Sequence, residues 1–287
     1  MTAIGLLGYG EAGRAIAASL AEEQTDICLF AYDVADVSAP LPAALCDSLQ
    51  ALCQTAPIII SVVTADEAVN AARSVAPYVT KQTMFLDGNS VSPGTKQKSA
   101  ALIEAKGATY IDMAIMAPIH PRGHKTPLLL SGHQEARLTS LLDKLDFTYD
   151  WEGPQIGDAS IVKMLRSILI KGMECLISES VTASQGLGLD SRILQSAGKT
   201  LGIQNMEKLA DYVMERAATH GRRRAAEMRE VAKTLEELGL SNDMSQAIAI
   251  YQDRIADMNL ADYFDNDIPQ DRHHLAPAMR KAQKAKG

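Results

Sequence analysis

The chain begins with a compact apolar run, Ile4–Leu7, and passes straight into Gly8-Tyr9-Gly10-Glu11-Ala12-Gly13, after which an amphipathic segment starts. Three glycines at this spacing, between a strand and a helix, leave few folds open. The first permits a tight turn, the second leaves the backbone bare to an approaching anion, and the third lets the helix lie close to the strand. The helix start then offers unpaired N–H groups and the positive end of its dipole, which suits a phosphate. The predicted helix covers Glu11–Glu22, with Ala12, Ala15, Ile16 and Leu20 on one face. The pattern predicts a βα turn that holds a dinucleotide, with Gly8, Tyr9, Gly10, Glu11, Ala12 and Gly13 around the pyrophosphate. A Gly-rich loop after a first strand also serves methyltransferases, which stand as the competing reading at this point.

The following sequence keeps alternating short apolar runs with helix-like segments. Ile27–Tyr32, Pro57–Val63, Met84–Asp87, Tyr110–Met113 and Pro127–Ser131 read as strands, and Ala65–Ala76 as a helix. Such alternation predicts βαβ units, hence a mostly parallel sheet covered on both faces. Asp33 closes the second strand, 20 residues past Gly13. A carboxylate there accepts hydrogen bonds from ribose hydroxyls and repels a 2′-phosphate. Val34-Ala35-Asp36-Val37-Ser38 brings no Lys or Arg to hold that phosphate, so NAD is expected in preference to NADP. Val63, Thr64 and Asn89, at the ends of later strands, complete the expected cofactor-binding set.

The pattern changes near residue 150. Gly153, Pro154 and Gly157 punctuate the chain, and Asp158 can cap a helix running to about Gln185. About 28 residues at 1.5 Å each span about 40 Å. Further helical segments are predicted at 190–199, 206–219, 221–238 and 242–258. The expected organisation is an α/β Rossmann domain over 1–155, an all-α domain over 156–265 joined by the long interdomain helix, and an extended tail over 266–287.

Within the apolar long helix, Lys163, Ser167, Lys171 and Glu174 recur at i, i+4, i+8 and i+11, on one face. A polar stripe on such a helix must meet water, a cleft or charged partners. Hydride addition to a carbonyl builds negative charge on its oxygen, and an ammonium within reach stabilises that charge and delivers a proton. Lys163 is therefore the candidate catalytic acid/base, and Ser167 a candidate substrate ligand.

Composition removes several other functions. A net charge of −7 lacks the basic face of a nucleic-acid binder. No apolar stretch of membrane-spanning length occurs, and no signal peptide precedes the first strand. Cys28, Cys46, Cys53 and Cys175 form no CxxC pair, and no His, Asp or Glu cluster has metal-ligand spacing. A reducing cytoplasm and no metal are expected. The apolar surface of the long helix exceeds what one small domain covers, so a homodimer through the helical domain is expected.

The N-terminal fingerprint, the break near 150 and a lysine early in a long helix resemble the β-hydroxyacid dehydrogenase superfamily, which includes 3-hydroxyisobutyrate and 6-phosphogluconate dehydrogenases. The family's lysine motif is G-x-G-x-x-x-K with a downstream Asn. Gly157 and Lys163 keep its outer spacing, Ala159 takes the second Gly position, and Ser167 stands at the Asn. Asn89-Ser90-Val91-Ser92-Pro93 is similar to the family's D-x-S-T-x-x-P loop. Asp112-Met113-Ala114-Ile115-Met116-Ala117-Pro118 stands at its D-x-P-V-S-G-G run, with Met116 and Ala117 at the Ser and Gly positions. The resemblance implies substrate binding by Asn89, Ser90 and Ser92, and His120, Arg122 and His124 supply replacement donors. In His220–Met228, Glu227 stands near the Asp of the family's K-D pair and Ala226 at its Lys. This resembles a branch whose C-terminal domain has unknown function. The implied activity is NAD-dependent hydride transfer on a small polar or anionic hydroxyl substrate. An imine reductase on the same fold and a non-catalytic NAD-binding sensor are the alternatives.

Overall fold

The computed structural model describes residues 2–23, 26–35, 37 and 42–285. The chain divides into two compact units, residues 1–164 and 165–287.

Eight strands among the described residues build the first unit's sheet: β1 (Thr2–Leu7), β2 (Ile27–Tyr32), β3 (Ala44–Leu45), β4 (Ile58–Ser61), β5 (Met84–Asp87), β6 (Thr109–Ile115), β7 (Leu128–Gly132) and β8 (Tyr149–Gly153). Their order is β3-β2-β1-β4-β5-β6-β7-β8. Only the β6–β7 pair is antiparallel. The connecting helices are α1 (Glu11–Glu23), α2 (Leu49–Thr55), α3 (Ala68–Val75), α4 (Pro93–Glu104) and α5 (Ala136–Lys144). Alternate strand residues bury on opposite faces. Ile4, Leu6, Ile58, Ile60, Met84 and Leu86 meet Ile16 and Leu20 of α1 and Leu138 of α5. Leu7, Ile59, Phe85 and Tyr110 meet Leu52 of α2, Val75 of α3 and Ile103 of α4. This is the doubly covered, mostly parallel sheet that the alternating pattern predicts. Strands β3 and β8 escape the sequence pattern because one is two residues long and the other, Tyr-Asp-Trp-Glu-Gly, lies half exposed at the edge.

Helix α6 (Asp158–Gln185) is the predicted 28-residue helix. The units divide inside it, rather than before it as the sequence boundary at 155 has it. Its first turn is fastened to β6 and β7 by the bonds described below.

The second unit continues with α7 (Asp190–Leu201), α8 (Met206–Glu237), α9 (Asp243–Ala256), α10 (Leu260–Tyr263) and α11 (Arg272–Ala285). Two expectations are corrected here. The helices predicted at 206–219 and 221–238 are one. Gly221 does not break it, because it is buried where α8 passes α9, and a Cβ there would lie 2.9 Å from the Gln252 carbonyl oxygen. The tail from 266 is not extended throughout. Asp271 accepts from the His274 N–H, an N-terminal capping bond, and Leu275, Ala276 and Met279 bury fully along one side of α11. Pro277 and the surrounding charges mask that apolar stripe in the sequence.

Candidate active site in the Rossmann unit

The glycine loop has the geometry its spacing implies. Gly8 sits at φ +92°, where a side chain is strained. Its N–H reaches the Tyr32 carbonyl at 3.0 Å, and the Val62 N–H reaches the Leu7 carbonyl at 2.8 Å. The ends of β1, β2 and β4 are thereby locked around the loop. A Cβ on Gly13 would lie 2.3 Å from the Gly8 carbonyl oxygen, so only glycine lets α1 approach this closely. A Cβ on Gly10 would meet nothing within 4 Å. The open side of Gly10 and the start of α1 leave the backbone accessible to a pyrophosphate. Glu11 and Ala12 form the first turn of α1.

Asp33 stands where β2 ends. Its Oδ2 accepts from the Tyr9 N–H at 2.5 Å and its Oδ1 from the Ala35 N–H at 2.9 Å. A carboxylate offers about four acceptor positions, so two backbone bonds fix the group and leave room for hydroxyl donors. Asp36 and Ser38 lie outside the described residues. Val63 packs beside Gly8, where its Cγ1 would be 3.0 Å from an added Cβ. Thr64 is exposed at the end of the same loop.

The loop after β5 carries Asn89 and Ser90. Asn89 is buried. Its N–H donates to Asp87 Oδ1 at 2.9 Å and its amide nitrogen to Ser61 Oγ at 3.1 Å. Its Oδ1 is buried with no partner in this structure. An unfilled buried acceptor costs free energy unless a ligand group supplies the donor. Lys163, in the second turn of α6, donates from Nζ to Ser90 Oγ at 2.5 Å. The predicted proton donor and the family-like loop are therefore joined.

Beneath this pair lies a buried charge cluster that the sequence did not announce. Lys96 of α4 is fully buried. Its Nζ donates to the Asp87 carbonyl and lies 3.0 Å from Asp87 Oδ1 and 3.3 Å from Asp112 Oδ1. Tyr110 donates its hydroxyl to Asp87 Oδ2 at 2.5 Å. Burial and the Asp87 carboxylate hold that phenol well above its ordinary pKa. Asp112 accepts from Ser160 N–H at 2.9 Å, Ser160 Oγ at 2.6 Å and Ser131 Oγ at 3.3 Å. Ser131 Oγ in turn accepts from the Ala159 N–H at 3.0 Å. A carboxylate and a hydroxyl thus satisfy N–H groups at the start of α6, which have no partner within the helix.

Other expected substrate ligands go elsewhere. Ser92 is buried as the N-cap of α4, accepting from the Thr95 N–H at 3.3 Å. His124 does not face a cleft. Its ring is buried edge-on to Phe147, with Nδ1 2.5 Å from Ser19 Oγ of α1. Burial pushes its pKa below the ordinary value. The physical reason is the chain reversal at Gly123 (φ +55°), which packs so tightly on Ser19 that a Cβ there would lie 2.2 Å from the Ser19 Cβ. His120 and Arg122 are exposed on the same loop. Ser167, in the second unit, accepts from Lys171 Nζ at 3.2 Å. Lys171 also pairs with Glu227 at 2.8 Å. The polar stripe of α6 is thus partly satisfied by α8.

Residues 3–140 match the NAD-binding domain of 6-phosphogluconate dehydrogenase, and residues 185–255 match a domain of unknown function, DUF1932. A conserved hypothetical protein from Sinorhizobium meliloti is 30% identical, covers 98% of this chain and 97% of its own, and superposes with a TM-score of 0.74. A second conserved protein of unknown function, described as structurally similar to 3-hydroxyacid dehydrogenases, is 27% identical over 90% of this chain and 98% of its own, with a TM-score of 0.69. The 3-hydroxyisobutyrate dehydrogenase of Mycobacterium tuberculosis shares the fold at 16% identity, with a TM-score of 0.71 over 98% of this chain and 99% of its own. Residues 3–140 thus belong to the family of 6-phosphogluconate dehydrogenase NAD-binding domains, a helical region of unassigned function follows, and the chain shares the fold of the hydroxyacid dehydrogenases.

Proposed function

We propose that the protein reduces or oxidises a small polar or anionic substrate at a carbinol or carbonyl carbon, with NAD as cofactor and Lys163 as acid/base. The observation that carries this reading is the Lys163–Ser90 pair, an ammonium held at 2.5 Å from a hydroxyl on the loop after β5. The bound nicotinamide supplies or takes the hydride. Gly8 to Gly13 would hold the pyrophosphate, Asp33 the adenosine ribose, and Val63, Thr64 and Asn89 the remaining length. As negative charge develops on a substrate oxygen, Lys163 donates a hydrogen bond and then a proton. In the opposite direction its neutral amine accepts the hydroxyl proton. Ser90 keeps the lysine oriented.

Asp33 supports NAD over NADP. Its carboxyl is held at the end of β2 by two backbone N–H groups, and a carboxylate beside the adenosine ribose would repel a 2′-phosphate. Fluorescence titration tests this. The wild type is expected to bind NADH at least about tenfold more tightly than NADPH, and Asp33→Ala to erase that preference. Equal affinities in the wild type would overturn the assignment.

We further propose a homodimer. Leu165, Leu169 and Leu176 share one face of α6, with Leu169 70% and Leu176 64% exposed. An apolar stripe of this kind favours a self-complementary contact with a second copy. Among the described residues no helix is long and apolar enough to cross a membrane, and Cys28, Cys46, Cys53 and Cys175 are free thiols. A reducing cytoplasm suits them.

A further inference from the structure

We infer that Lys96 is a positioning residue for Lys163, an inference that rests on the reading of Lys163 as the proton donor. Two segments must be held in register for the Lys163–Ser90 bond to exist. One is the loop after β5, which carries Ser90. The other is the start of α6, which carries Lys163. Each is fastened by a buried carboxylate. Asp87 anchors the loop, since its Oδ1 accepts from the Asn89 N–H. Asp112 anchors the helix, since it accepts both the N–H and the hydroxyl of Ser160. Ser160 precedes Lys163 by three residues and lies on the same side of the helix, one turn before it.

Asp87 and Asp112 are register partners on the neighbouring parallel strands β5 and β6. Two carboxylates side by side in a dry interior repel each other and cost several kcal/mol each to desolvate unless a cation answers them. Lys96 is that cation. Its ammonium lies 3.0 Å from one and 3.3 Å from the other, and it also donates to the Asp87 backbone carbonyl. All three side chains are fully buried. One side chain therefore ties the Ser90 segment to the Lys163 segment. The glycine loop does not share this tie, because it is held by separate bonds to β2 and β4.

The test compares the intact wild-type protein with Lys96→Met and with Lys96→Met/Asp112→Asn, which removes one charge of each sign. Amide hydrogen exchange is read by peptide and needs no substrate. Loss of the tie is expected to speed exchange about tenfold or more in residues 88–92 and 158–164 together, and to leave residues 8–13 unchanged. Over a panel of small 2- and 3-oxo acids with NADH, kcat is expected to fall about tenfold or more, a larger change than any in the KM for NADH. Wild-type exchange in both segments would overturn the inference. So would uniformly faster exchange across the whole unit, which marks a merely structural lysine. Should neither Lys96 variant fold, Ser160→Ala removes only the 2.6 Å hydroxyl bond to Asp112. It should speed exchange over 158–164 and lower kcat, and wild-type behaviour there overturns the inference. Absence of turnover by the wild type would count against the oxidoreductase reading alone, because the exchange pattern still decides the tie.

Discussion

Both units of this protein bury charge, but in different ways. The Rossmann unit places one ammonium, Lys96, between two carboxylates, all of them fully buried. The second unit uses arginines, Arg272 buried and Arg224 nearly so. Arg272 gathers Asp190 at 3.1 Å, Glu207 at 3.2 Å and Asp211 at 2.9 Å, and Arg224 pairs with the buried Glu174. The first arrangement lies under the Lys163–Ser90 pair and shapes a site. The second clamps α7, α8 and α11 together and pairs α6 with α8. Buried charge therefore sets geometry in one unit and holds helices together in the other. Changes to the second should alter stability with little effect on nucleotide binding.

The largest effect is expected from Arg272→Ala. It leaves three carboxylates facing one another without their cation, and it should cost about 3–5 kcal/mol in urea unfolding. NADH affinity at low denaturant should stay within about twofold. A large loss of affinity would break the separation between the units.

Arg224→Met comes next, at about 3 kcal/mol, and its pH dependence sharpens the comparison. Burial pushes the Glu174 carboxyl above its ordinary range, against the opposing pull of Arg224 and Lys171. A folded-state value above the unfolded one stabilises the fold in acid, and that contribution is lost as pH rises through the folded value. Without Arg224 the value climbs further. The variant's urea midpoint should therefore fall short of the wild type by more at pH 8 than at pH 5. An equal deficit at both values would show that Glu174 does not depend on Arg224.

The smallest effect concerns His124 in the Rossmann unit. Burial lowers its pKa, so the fold favours the neutral ring. Stability from this group is present above its ordinary value and is lost as pH falls from there through the lowered one. The thermal midpoint of the wild type should drop between pH 7 and pH 5, and His124→Gln should lose that part of the slope.

Residues close together in the chain were legible in the sequence. The glycine loop, Asp33 at 20 residues beyond it, and the polar stripe of α6 all rest on short spacings with a direct geometric meaning. The cluster of Lys96, Asp87 and Asp112 rests on β5–β6 pairing and on a helix packed against it. Spacing alone makes Lys96 look like an ordinary exposed lysine on a polar helix. His124 looked like a loop donor because the sequence cannot show that Gly123 turns the chain onto Ser19. The gap expected at residue 220 is absent, because Gly221 beside it permits close helix packing against Gln252. One signal was available for the cluster. Asp87 and Asp112 end or occupy otherwise apolar strands, and buried carboxylates at such places require a cation.

The proposed function stands on proton transfer by Lys163. The most direct measurement is NADH-dependent turnover of a small oxo acid by Lys163→Met, alongside NADH affinity by fluorescence. Affinity is expected to stay within about twofold of the wild type while kcat falls by about 100-fold or more, the scale of a lost general acid. Wild-type turnover in that variant would contradict it.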